Sequence, residues 1–236
     1  MMNRMVGTMA LRAVSGVVLL GLARLGWAQG VQAPYPGMAP MAQYHEQSAA
    51  AEIALARSAA NETVSRDAEV LVLGSRGYET AAKGTNGFVC VVERSWATNF
   101  DDPQFWNPKM RAPHCFNAAA ARSVLPAYLK RTELVLSGMP KDQVEARMKE
   151  AVAKKVFGAP EEGSMCYMMS KQGYLNDTAG HWHPHLMFFQ PTTDAAKWGA
   201  NLKGSPVFSA QGDPEPVMTF MVPVMNWSDG TMEEMK

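Results

Sequence analysis

Cysteine is scarce in this chain. There are three in 236 residues, Cys90, Cys115 and Cys166, and none belongs to a Cys-x-x-Cys pair. That excludes a thioredoxin-like redox pair and a zinc ribbon, and an odd count allows at most one internal disulfide. An excess of either charge is lacking too. Lysine and arginine number 22, aspartate and glutamate 22, so the chain as a whole attracts neither nucleic acid nor anionic lipid. The glycine pairs in "GSRG" and "GTNG" are short turns, since no GxxxxGK[ST] or GxGxxG leads from a strand into a helix. No GxSxG nucleophile elbow occurs, and there is no internal repeat. No apolar run reaches the roughly 20 residues that a comfortable membrane span needs.

What is present is a globular composition, 47% hydrophobic and 19% charged, of a length for one ordinary domain with extensions. Arg4 and Arg12 precede or open the short apolar run "AVSGVVLLGLARLGWAQG", and Gly26 and Ala28 place small residues around Trp27. This pattern predicts a signal peptide over residues 1–28, hence export to the periplasm or the exterior of a bacterial cell. Its removal takes three arginines (Arg4, Arg12, Arg24) from the 22 basic groups and no acid, leaving 19 basic against 22 acidic, a net −3. No nucleic-acid partner and no stable membrane span after cleavage are expected.

Residues 29–44 hold three prolines, two glycines and no charge, which predicts a flexible linker. A single domain is expected over 45–226, with 227–236 as a C-terminal tail. The alanine-rich stretch 45–60 predicts a peripheral helix. "EVLVLG", "YETAAK" and "FVCVV" read as three strands, the last covered on both faces. Asn86-Gly87 suggests a hairpin turn, making 69–94 an antiparallel meander. Residues 96–116 carry three prolines and five aromatics without a clear period and predict a packed flap. Asn117 can cap the following helix, Pro126 should kink or split it, and Pro140 opens another. In that last helix Val144, Met148, Ala151, Val152 and Val156 form one stripe, with Glu145–Lys149 and Glu150–Lys154 on its wet side. "SMCYMMS", "HLMFFQ" and "VMTFMV" are the remaining strands. The order predicts an α+β fold: one antiparallel sheet of five to six strands with helices packed on it, in a PAS/profilin-like element order.

"KGTNGFVCVVERSW", "FDDPQFWNPKM", "CYMMSKQGYLND" and "GHWHPHLMFF" together resemble a group of predicted exported bacterial proteins to which no activity is assigned. The resemblance covers roughly 50–230. It implies a bacterial, exported origin and carries no catalytic residue with it.

The candidate chemistry centres on "HWHPH". On an extended chain His181 and His183 point the same way about 6.5–7 Å apart, able to share a metal, with His185 a further ligand. His114, Asp101, Asp102 and Asp177 are other candidates. Imidazole suits a divalent transition metal, zinc or copper. The pattern resembles the cupin His-x-His, but no glutamate follows in "LMFFQPTTD". Pro184 cannot donate to a ladder, so the regular strand should begin at His185. The alternative is histidines bonded to loop carbonyls. The 18 methionines are scattered and read as core filler. Trp96, Phe105, Trp106 and Trp182 could line a pocket. A Cys90–Cys115 bridge would pin the flap to the sheet; Cys115–Cys166 competes with it. A nucleophilic Cys115 beside His114 is a further reading.

Three functions follow as expectations. The first is a non-catalytic module that binds or senses a small molecule or metal ion. The second is a metal-dependent enzyme using His181 and His183. The third is a structural interaction protein of the envelope.

Overall fold

The computed structural model describes residues 34–234. The expected signal peptide and the first part of the expected linker lie outside the described residues. The fold is α+β: helices α1 (Ala49–Arg57), α2 (Glu62–Ser65), α3 (Ala118–Ser123), α4 (Leu125–Leu136) and α5 (Lys141–Ala153) accompany eight strands. The strands are β1 (Glu69–Leu73), β2 (Tyr78–Ala82), β3 (Val89–Glu93), β4 (Ala112–Phe116), β5 (Met165–Met168), β6 (His185–Pro191), β7 (Phe208–Gln211) and β8 (Val217–Pro223). They form one sheet in the order β2-β1-β3-β4-β5-β6-β8-β7.

That sheet corrects the expected five to six antiparallel strands on two counts. It has eight strands, and it is mixed, because β1 and β3 run parallel. The meander expected over 69–94 would have paired β2 with β3. Instead β3 takes the far side of β1. The reason is burial: Cys90, Val91 and Val92 are fully buried and need cover on both faces, whereas β2 exposes Glu79 and Thr80 and suits an edge. Asn86-Gly87 does turn the chain, with Gly87 at φ 80°, but not into a hairpin. Asn86 Nδ2 instead donates to Val64 O. Gly84, on the way across, lies so close to the Ala68–Glu69 backbone that no Cβ fits.

The two strands not foreseen are β4 and β7. β4 is the last part of the expected flap, with Pro113 as its second residue and every residue buried. It pairs with β3 and sets Cys90 opposite Cys115, and these two form the disulfide that closes a 25-residue separation. Cys166 remains a buried free thiol.

Alternation along the strands divides the core. Val70, Cys90, Val92 and Cys115 face α1, which packs Leu55 and Ala56 against them. α1 is thus no peripheral helix. Its small alanines let it lie close, and its N-cap Ser48 accepts from Ala51 N–H. Leu71, Val91, Phe116, Cys166, Met187 and Phe189 face the other way, under α3 and α4. Asn117 caps α3, and Pro126 separates it from α4, as the sequence predicts. α5 buries Val144 and Met148 and carries the Glu145–Lys149 and Glu150–Lys154 pairs outward.

Both ends of the described chain join the core. Within the expected linker, Tyr44 is fully buried. It stacks 5.0 Å from Trp96, its hydroxyl donates to Trp106 O, and its carbonyl accepts from Arg94 Nε. In the expected tail, Trp227 is buried and Ser228 N–H donates to Met169 O.

Asp177 anchors the first described residues. Its carboxylate accepts from Tyr174 Oη and Tyr35 Oη and pairs with Lys109 at 3.0 Å. These donors, Tyr174 first, hold the carboxyl at about 2, below its usual 3.8. A depressed acid favours the folded arrangement above about pH 3.8 and ceases to do so as the pH falls towards 2. A carboxyl-carbon NMR titration of Asp177 therefore gives a midpoint near 2. Tyr174→Phe moves it up, and an ordinary midpoint in the parent protein would disprove the anchorage.

Candidate functional site

Along α4, Val124, Tyr128, Arg131 and Val135 recur at helical spacing on one side, and the first three of them form one wall of a cleft. Three of the four suit an apolar stripe; the arginine does not. Small Ala127 beside them leaves space. A second wall comes from the end of α5 and the chain beyond it, Val152 to Ala159. A third is the β7–β8 turn, Ala210 to Val217, with its cis Asp213–Pro214 bond. Between them lies a cleft of about 510 Å³.

Arg131 is the structural key to this cleft. Its side chain is 3% exposed, and Nη2 donates to both carboxylate oxygens of Glu215, at 2.8 and 2.7 Å. Nη1 donates to Thr98 O at 2.8 Å, and the guanidinium sits 4.5 Å over the Phe100 ring. One side chain thereby ties α4 to the flap and to the β7–β8 turn. Its charge is neutralised by Glu215, so the cleft interior is not a strong anion site.

The free polar groups are fewer. Tyr128 Oη makes no hydrogen bond to the described residues. Burial, then the nearby Glu93 charge, push its ionisation well above the usual tyrosine range against the opposing pull of Arg131. It therefore stays a protonated donor. At the lip, α5 ends in a Schellman turn: Val156 N–H donates to Ala151 O and Lys155 N–H to Val152 O. Lys155 fills the left-handed position, φ 54°, where glycine is usual, at a cost of about 1 kcal/mol. Its ammonium forms no ion pair with the described residues. Ser123 Oγ, by contrast, is engaged with Ala119 O and Ser164.

No family model, curated protein or solved structure matches this chain. The cleft must therefore be read from its own residues. Its lining contains no histidine and no cysteine, so no imidazole- or thiolate-based nucleophile–base pair is assembled there.

The residues expected to form a site lie elsewhere: His114 and His185 flank Met168 across β4, β5 and β6, and His181 and His183 stand at the surface. His181 is exposed, with Nδ1 2.9 Å from Trp182 O and its ring 5.8 Å from Trp227. His183 is exposed and pairs with Glu233 Oε1 at 2.9 Å. His185 begins β6, as expected from Pro184, and its Nδ1 donates to His183 O at 2.7 Å. His114 is buried on β4 with Nδ1 3.1 Å from Glu93 Oε2. Among the described residues, no group of three or more His, Cys, Asp or Glu side chains could hold a metal ion. The disulfide occupies Cys115 and so removes it as a nucleophile beside His114.

The expected pocket aromatics are mostly core. Trp96 donates Nε1–H to Thr132 Oγ1, and Phe105 stacks on Phe100 and meets Trp106 edge-on. Trp106 also borders a smaller hollow of about 350 Å³ beside residues 36–38. Trp182 is buried against Gly173, where its ring leaves no space for a side chain.

Proposed function

We propose that this protein is a non-catalytic binding or sensing module of the cell exterior or periplasm. Its ligand is a small, largely apolar molecule with one polar end. The observation that carries this reading is the cleft of about 510 Å³, within the roughly 300–1,000 Å³ typical of small-molecule sites. Val124, Ala127, Val152, Phe157 and Val217 offer apolar contact, and Tyr128 and Lys155 are free to meet the polar end. The buried disulfide suits an oxidising compartment, and no described helix is long and apolar enough to cross a membrane.

The test is saturable binding of the apolar fluorophore N-phenyl-1-naphthylamine. One site per chain is expected. Ala127→Leu fills the cleft from its helix wall, and Ala159→Trp from its lip. Each weakens binding at least tenfold while the melting curve stays close to that of the parent. Unsaturable uptake, or binding that neither variant alters, would refute the reading.

A further inference from the structure

A second constellation lies on the α3/α4 side of the sheet and shares no residue with the cleft lining. β4, β5 and β6 are consecutive neighbours. Cys115 pairs with Tyr167 and Met168 with His185, so Met168 stands between His114 on one side and His185 on the other, all three on one face. His114 Nε2 and Met168 Sδ point at each other, 2.6 Å apart and buried.

Both imidazoles turn Nδ1 towards an oxygen, His185 with a hydrogen bond and His114 without one. His185 commits Nδ1 to the His183 carbonyl, and His114 turns Nδ1 towards the Glu93 carboxylate. In His185 this leaves Nε2 over; in His114 Nε2 meets Met168 Sδ, and Nδ1, though 3.1 Å from Glu93 Oε2, makes no hydrogen bond to the described residues. A carbonyl or carboxylate oxygen bonded to one ring nitrogen commonly presents the other as a ligand. His185 is further oriented by Trp182, edge-on at 6.3 Å.

The charge balance points the same way. Glu93 is 4% exposed, and its Oε1 has no hydrogen-bond partner. The neighbouring guanidiniums are engaged elsewhere, Arg94 with Glu52 and Arg131 with Glu215. A buried carboxylate in this position calls for one positive charge, which either a protonated His114 or a cation bound by His114 supplies.

We propose that His114, Met168 and His185 form a copper(I) site. Two imidazoles and a thioether are a soft donor set, which selects Cu(I) over zinc or a hard cation, and a monovalent ion matches the charge of Glu93. Metal–donor bonds of roughly 2.0–2.3 Å need His114 Nε2 and Met168 Sδ to move about 1 Å further apart, which a rotamer change of the flexible methionine allows. The half-exposed His185 at the start of β6 is the entry point. The site does not rest on the cleft or on its ligand.

The test uses the full chain under anaerobic conditions with Cu(I) supplied as its bicinchoninate complex, whose colour fades as copper is withdrawn. One equivalent is expected to transfer and to remain through desalting, with a sulfur neighbour in copper X-ray absorption. Zn(II) is not retained. Met168→Leu, a volume-conserving exchange, and His185→Gln each lower affinity about 10- to 100-fold with the melting curve preserved. A His181→Ala/His183→Ala variant keeps its copper. Failure of the protein to withdraw copper, unchanged affinity in Met168→Leu, or loss of copper in the His181/His183 variant would each overturn the assignment.

Discussion

Replacing Arg94 with methionine lowers the unfolding free energy by about 3–5 kcal/mol, the cost of leaving a buried carboxylate without its partner. Arg94 is fully buried. Its Nη2 meets Glu52 Oε1 at 2.9 Å, and that same oxygen accepts from Leu73 N–H at 3.0 Å. Nε donates to Tyr44 O and Nη1 to Val92 O. One guanidinium thus joins α1, β1, β3 and the residues before α1. Against a total stability of about 5–15 kcal/mol, the loss brings the domain near unfolding. Urea denaturation measures it. The double variant Glu52→Met/Arg94→Met falls between the parent and Arg94→Met, because the charge is gone but Leu73 N–H and Tyr44 O are still unpaired, while Val92 O keeps its bond from Tyr78 Oη. A cost below about 1 kcal/mol for Arg94→Met would show that the pair adds little net stability here.

Removing the disulfide with Cys90→Ala/Cys115→Ala costs on the order of 3 kcal/mol by the chain-entropy model for a 25-residue loop. For a domain of this size that lowers the melting temperature by roughly 6–12 °C. The bridge links the middle strands β3 and β4, so its loss acts on the centre of the sheet. Thiol labelling gives a separate check. Cys166 is buried, and burial raises its thiol's ionisation well above the usual value, so it is inert in the folded protein. The native oxidised chain takes up no iodoacetamide; the unfolded, unreduced chain takes up one. Two or three labels per unfolded chain would mean that the bridge does not form.

How much of this was legible in the sequence varies with the range of the interactions. Helix limits were readable where a local group sets them. Asn117 caps α3, Pro126 breaks α3 from α4, and Pro140 opens α5. The apolar strands β1, β3, β5, β6 and β8 were readable from their own composition. β4 was hidden by Pro113 and by the aromatic segment before it, and β7 by its exposed residues. The residues of the proposed copper site were visible one by one, His114 and His185 as candidate ligands and Met168 as filler. Their grouping depends on the order β4-β5-β6, which no local pattern encodes. The cleft had one sequence signal, Arg131 in an otherwise apolar stripe of α4. Its partner Glu215 lies 84 residues away.

The sequence by itself determined the α+β class, most helix ends, the buried character of β3 and the start of β6 at His185. Each follows from caps, proline geometry and side-chain period within a few residues. Only the tertiary structure decided that β3 lies parallel to β1, that Cys90 meets Cys115, and that Tyr44 and Trp227 belong to the core. It also separated the exposed His181 and His183 from His114 and made a cleft where Arg131 meets Glu215. Those outcomes arise from strand pairing and burial between distant segments, where many arrangements satisfy the same local pattern and only close packing of the whole selects one.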